Sequence, residues 1–229
     1  NFTNNTATNN TNGNGGAILL IKDGSSSATF RYCNFTGNSA NSKGGALCIP
    51  NVGGLNIIHC NFTNNKINSN SGYGGALYIN ALSVTITDSD FTANSAFDSG
   101  SHIYIEKDME NTVIDGCNFT NAQGIGSGLG SSVVGQGSNL KITNSNFTSN
   151  YGKKGSGLAV IGNVPNLIVQ NNTFTKNTAV DDGGALYLSF RDGLNTVKYM
   201  DGNNFTGNSA VNGGAVFIDS PTSSQYLVW

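Results

Sequence analysis

The sequence predicts an all-β fold: a single-stranded parallel β-helix of about eight coils, each of about 28 residues. Three observations lead there. A Phe-Thr pair recurs at Phe2, Phe35, Phe62, Phe91, Phe119, Phe147, Phe174 and Phe205, at spacings of 33, 27, 29, 28, 28, 27 and 31 residues. A steady period in this range marks a stacked repeat architecture. Alternating apolar residues lead into each Phe, and a Gly-Gly corner with a short apolar run follows it. No stretch carries apolar residues at three-and-four spacing, and the abundant Gly, Asn, Thr and Ser are poor helix interiors.

Each coil reads as two strands joined by polar corners. The first strand ends on the Phe, as in Leu55, Ile57, Cys60 and Phe62, or Val84, Ile86, Ser89 and Phe91. Its alternation is that of a strand with one buried face. The second follows the glycines: Gly44-Gly-Ala-Leu-Cys-Ile49, Gly74-Gly-Ala-Leu-Tyr-Ile79, Gly183-Gly-Ala-Leu-Tyr-Leu188 and Gly213-Gly-Ala-Val-Phe-Ile218. Gly100-Ser-His-Ile, Gly126-Ser-Gly-Leu and Gly155-Ser-Gly-Leu are looser copies. A Gly pair suits a corner where the backbone turns sharply or meets a neighbour closely.

Stacked coils place each residue over its counterpart in the next repeat, so columns are legible. Phe35, Phe62, Phe91, Phe119, Phe147, Phe174 and Phe205 form the expected stacking core. Two residues earlier, Cys33, Cys60, Ser89, Cys117, Ser145, Asn172 and Asn203 read as an inward column of small or polar groups near a corner. The residue after each Phe is Thr in all eight copies, an outward β-branched ladder. Three residues after it stand Asn5, Asn38, Asn65, Asn94, Asn150, Asn177 and Asn208, broken only by Ala122. Asn tolerates the left-handed backbone that corners need, and stacked amides can bond coil to coil. Tyr78, Tyr104 and Tyr187 read as an outward stripe able to stack on sugar rings or cover a sheet face.

The paired signals Gly-Gly-Ala-(Ile/Leu/Val) and Phe-x-x-Asn, cleanest at Phe35/Gly44, Phe62/Gly74, Phe174/Gly183 and Phe205/Gly213, resemble the repeats of the chlamydial polymorphic outer-membrane proteins. They are similar also to repeats of adhesin-like microbial surface proteins. The resemblance covers nearly the whole chain. It implies a right-handed β-helix displayed on a cell surface and serving adhesion. The chain departs from the family pattern in lacking a membrane-barrel segment with an aromatic C-terminal strand, so autotransport is not part of what is implied.

Composition fits an extracellular scaffold. Only 10% of residues are charged and the net charge is −2, which excludes a basic nucleic-acid footprint. The longest clear apolar run, Ala17–Ile21, falls far short of a membrane span, so no membrane insertion is expected within this segment. The chain reads as one β-helical domain over 1–229, a segment of a longer surface protein. Phe2 and Val228-Trp229 leave both ends without a cap, so more chain, a partner or a head-to-tail copy should cover them. An open head-to-tail contact would build a filament. The four Cys have no metal or redox spacing; Cys33 and Cys60 fall in one column on consecutive coils and read as buried thiols.

Candidate chemistry is sparse. Asn34, Asn61, Asn118, Asn146 and Asn204 begin Asn-Phe-Thr, and Asn171 begins Asn-Asn-Thr; all are candidate N-glycan acceptors. Asp90-Phe-Thr and Thr173-Phe-Thr keep the Thr without the Asn, so the Thr serves the ladder regardless. The acids read as scattered along the chain: Asp88, Asp90, Asp115, Asp201 and Asp219 lie on separate coils or separate strands. Asp181 and Asp182 should pair with Lys153 and Lys154 one coil earlier as exposed ion pairs. His59 and His102 are too far apart in the repeat to build a zinc site or a triad. No catalytic residue, metal or cofactor is assigned. The expected function is a non-catalytic structural or adhesive region on a microbial surface, with host or matrix glycans or proteins as partners and self-association into a fibre as a variant. The alternative is a polysaccharide lyase or glycoside hydrolase.

Overall fold

The computed structural model describes residues 1–9, 12–106, 110–124, 131, 133–136, 138–162, 164–190, 196–219 and 225–228. The whole Gly126-Ser-Gly-Leu copy, and Trp229, lie outside them; the counterpart of Gly100-Ser-His-Ile is instead the run ending at Val133, which pairs with Ile103. The described residues hold strands, turns and bends and no helix. Every strand pairing is parallel, and each strand pairs with its counterpart one coil away. The chain is therefore a β-solenoid. Its eight Phe rungs enclose about seven turns, one fewer than the eight coils expected.

Three sheets run the length of the solenoid where the sequence suggested two strands per coil. The first has eight strands, each a three-residue Asn-Phe-Thr unit in the well-formed copies, such as Asn61–Thr63 and Asn118–Thr120. The second has fourteen strands and contains both the run after the Gly corner and the alternating run of the next repeat. These fuse into Leu47–Ile58 and Leu77–Thr87, and are separate strands at Ile103–Ile105 and Asn111–Asp115. The third has seven short strands, among them Ser39–Ala40 and Ser95–Ala96.

Two columns of left-handed backbone explain the division. The alternating run does not continue into the Phe, because His59, Asp88 and Asn144 turn the chain with φ of 50°, 49° and 52°. A second corner follows the Thr, at Asn64, Ala93, Asn121, Ser149 and Lys176, with φ between 53° and 56°. The left-handed residue thus lies one position before the Asn38–Asn65–Asn94 column, which was expected to supply it. At the Gly-Gly corner Gly44 has φ +64°, and a Cβ on Gly45 would sit 2.0 Å from the Gly75 carbonyl oxygen. The first glycine supplies the turn and the second the close approach.

Inside, like lies over like. The Phe rings from Phe2 to Phe205 stack with centroids 4.7–5.0 Å apart and planes within 19° of parallel. Phe35 to Phe174 are fully buried, while Phe2 and Phe205 are half-buried. Leu47, Leu77, Ile103, Val133, Leu158 and Leu186 oppose them from the long sheet. Each ring contact is worth about 0.5–1.5 kcal/mol beyond its burial.

The Asn column is a buried amide ladder. Asn65 Nδ2 donates to Phe35 O at 2.9 Å and to Asn94 Oδ1 at 3.0 Å, while its Oδ1 accepts from Asn38 N and Nδ2. The same set recurs from Asn150 through Asn177 to Asn208. The column before the Phe works similarly: Ser89 Oγ accepts from Cys60 N, Ser145 Oγ from Cys117 N and Asn172 Oδ1 from Ser145 N. Small polar side chains there close backbone donors that the corner leaves open.

Ala93 holds a left-handed φ of 53°, in a column where Gly37 and Gly207 also occur. An L-residue in that region costs roughly 1–2 kcal/mol, partly offset by glycine's greater freedom when unfolded. Ala93→Gly is expected to raise stability by about 1 kcal/mol in urea unfolding.

Candidate functional site

The outer surface of the Phe sheet repeats toward solvent. With Phe pointing inward, the residues on either side of it point outward. Asn34, Asn61, Asn118, Asn146 and Asn204 are exposed in one row, and Thr36, Thr63, Thr92, Thr120 and Thr148 are half-buried in a parallel row. Over the first five rungs, from Asn1 and Thr3 to Asn118 and Thr120, the two rows line a shallow, open trough of about 750 Å3. The Asn row is internally bonded: Asn34 Nδ2 donates to Asn1 Oδ1 at 3.0 Å, Asn61 to Asn34 at 2.9 Å and Asn146 to Asn118 at 2.9 Å. Asp90 stands in this row and accepts from Asn118 Nδ2 at 2.7 Å. Having no donor, it leaves Asn61 Oδ1 without the bond its neighbours receive. Asn171 is not in the row; it sits exposed at the first corner with φ 56°.

The Tyr stripe is not on the surface. Tyr78 and Tyr187 are buried at 3% and 7% exposure, and Tyr104 is half-buried. They do point away from the core, but side chains from the corners cover them. Lys43 Nζ lies 4.2 Å from the Tyr78 ring centroid and donates to Tyr78 Oη at 2.8 Å, and Tyr78 in turn donates to Glu106. Tyr73 packs 4.7 Å from Tyr104, and Lys154 lies 5.0 Å from the Tyr187 ring. Burial, then the Glu106 hydrogen bond, pushes the Tyr78 phenol well above its usual range. The Asp98 hydrogen bond, with burial, raises Tyr73 to about 12. These phenols are held protonated and inward of a polar cover, so no sugar-stacking platform exists here.

Charged groups are used in pairs. Lys153 meets Asp181 at 3.9 Å, with both side chains exposed. Lys154 meets Asp182 at 2.6 Å, and the Asp182 carboxylate is only 12% exposed. The second pair is therefore half-buried rather than exposed, and the Lys154 bond lowers the Asp182 pKa. Asp115 is tied to Thr143 and Asn144. His59 stacks on Tyr32 and approaches Asp88 at 3.9 Å. Among the described residues no three His, Cys, Asp or Glu side chains converge as a metal site. Cys33, Cys48, Cys60 and Cys117 are free thiols, and burial pushes Cys48 and Cys117 up to about 12.

The sequence reading missed one linked pair of residues. Where Ala122 interrupts the amide ladder, His102 enters it. Asn94 Nδ2 finds no amide on the Ala122 rung and donates instead to His102 Nδ1 at 3.0 Å. The ring packs beside the stacked Phe91 and Phe119, 6.0 and 5.9 Å from their centroids. Beyond the gap, Ala122 N still donates to Asn150 Oδ1. His102 occupies the column of Ala76, where the other well-formed coils carry Ala. The signal was present as a lost Asn and a gained His in the same coil. Since Asn94 Nδ2 can only donate, His102 Nδ1 must accept, and the proton of the neutral ring is on Nε2.

Among the described residues no helix is long and apolar enough to cross a membrane. Burial lowers the His102 pKa from 6.5 to about 3. The unfolded chain therefore binds a proton that the folded one refuses. Stability is full above about pH 6.5 and falls as pH drops, by up to about 1.4 kcal/mol per unit. Titrating stability between pH 6.5 and 5, above the Asp range, should show this slope. The double substitution His102→Ala with Ala122→Asn should rebuild the ladder and abolish the slope, while His102→Ala alone should be strongly destabilised.

No curated protein and no solved structure matches the chain. A family model described as the right handed beta helix region matches residues 17–224, and its match, together with the solenoid of stacked parallel strands, shows that the chain belongs to that family.

Proposed function

We propose that the chain is a non-catalytic structural and adhesive rod on a microbial cell surface, exposed outside the cell and acting through its repeating face. The carrying observation is the pair of outward rows, Asn and Thr, that persists rung after rung beside an invariant buried Phe. Such a face offers many equivalent weak contacts rather than one strong one, which suits multivalent attachment. Among the described residues several carboxylates already have structural partners: Asp115 is bonded to Thr143 and Asn144, Asp182 is paired with Lys154, and Asp98 and Glu106 are bonded to Tyr73 and Tyr78. The resemblance to adhesin-like surface repeats supports the same reading. Head-to-tail assembly into a fibre would extend the face without altering its chemistry.

This reading bears on the sequons. A glycan on Asn34, Asn61 or Asn118 would fill the trough, whereas Asn171 lies clear of it. In a host that adds N-glycans, mass spectrometry of native material is expected to find Asn34, Asn61 and Asn118 unmodified, with Asn171 an occupied acceptor. Beads coated with the chain should be retained on cell monolayers or extracellular matrix severalfold above albumin-coated beads. Equal retention of the two would remove the adhesive assignment.

A further inference from the structure

We infer that the Asn–Thr trough is a binding site for an uncharged, unbranched polysaccharide lying along the solenoid axis. The inference rests on the adhesive reading and names what that face holds. Its walls carry amides and hydroxyls, with the Asp90 carboxylate the one ionisable side chain among the lining residues. That chemistry matches a neutral ligand rich in hydroxyls. It offers neither the apolar pocket that anchors a protein partner nor the charge that would select an ionic polymer.

The period selects a polymer. Rungs follow one another at about 4.8 Å, and β-1,4-linked hexoses in an extended chain advance by close to one rung per sugar. Successive sugars would then meet equivalent Asn and Thr pairs, and since a β-1,4 chain turns over at each linkage, the same hydroxyl edge faces the trough at every second rung. The amides are already fixed by bonding one another along the row, from Asn34 to Asn1 and from Asn61 to Asn34, so little side-chain freedom is lost on binding. Each bonded amide keeps a second N–H for a ligand. All these amides donate toward the preceding coil, so the trough has a direction and favours one orientation of the chain. The notch at Asn61 and Asp90, two acceptors without a donor between them, would take a sugar hydroxyl pair as donors. Exposed hydrogen bonds of this kind are individually weak, so affinity must come from length.

Calorimetry with the purified chain and β-1,4-linked hexamers of glucose, N-acetylglucosamine and mannose tests this. At least one hexamer should bind, roughly tenfold or more tightly than its trimer. Thr63→Arg and Thr120→Arg, which put bulk into the trough, should each abolish binding while leaving the far-ultraviolet circular dichroism unchanged. Val211→Arg, on an exposed position outside the lining, should bind as the parent does. Failure of all three hexamers to bind, or binding indifferent to both Thr variants, overturns the inference. Freezing-point depression that is lost in the Thr variants, without sugar binding, also overturns it and assigns the grid to ice. Bead adhesion that survives both Thr variants and is not competed by the hexamers leaves the adhesive rod standing and removes only the polysaccharide. Loss of bead adhesion in the parent removes the rod reading itself.

Discussion

A buried amide ladder is the constraint on which the rest of the structure depends. Parallel strands repeat at a fixed rise, but nothing in backbone pairing alone says which residue must lie over which. The Asn column does. Each amide closes a Phe carbonyl on one side and binds its counterpart on the next coil, so a slip of one residue would bury several polar groups without partners. Once that register is set, Phe must lie over Phe, Leu over Leu and Thr over Thr. The core and the repeating outer face are two consequences of one alignment.

The coil containing His102 shows how strictly the ladder is kept. With Ala122 in the column, one N–H of the Asn94 amide would be stranded in the core. The chain answers by placing an imidazole in a column given to Ala in the other well-formed coils, at a depth where only its neutral form is tolerated. The Asn94 amide keeps its partner through an atom from another part of the coil, while the buried His102 Nε2 is left without one. The cost is a dependence on pH that the asparagine rungs do not have.

Much of this was legible beforehand because a solenoid turns three-dimensional neighbours into a sequence period. The Phe, Thr and Asn columns needed only the spacing of Phe35, Phe62 and Phe91 to be drawn. The corners were harder. The first strand was read through to Phe62 because Leu55, Ile57 and Phe62 all point inward, yet the left-handed φ at His59 belongs to a residue with no local turn signature. The third sheet was missed because its strands are mostly two residues long, too short for alternation to show. The Tyr stripe was placed correctly as outward-pointing but not as covered, since the cover comes from Lys43 and Tyr73 at corners that sequence spacing does not bring near. The outward Thr row was read as a structural ladder and the outward Asn row as candidate glycan acceptors. That they bound a single trough follows only when the Phe strand is seen to be three residues long.

The most direct test of the central claim is the unfolding free energy of Asn65→Leu, which keeps side-chain size while deleting one rung of amides. It would leave Phe35 O and the Asn38 backbone and side-chain donors without their partners. A loss of roughly 3 kcal/mol or more is expected, from about 1–3 kcal/mol for each stranded group. A change below about 1 kcal/mol would mean that apolar stacking alone sets the register, and would contradict this account.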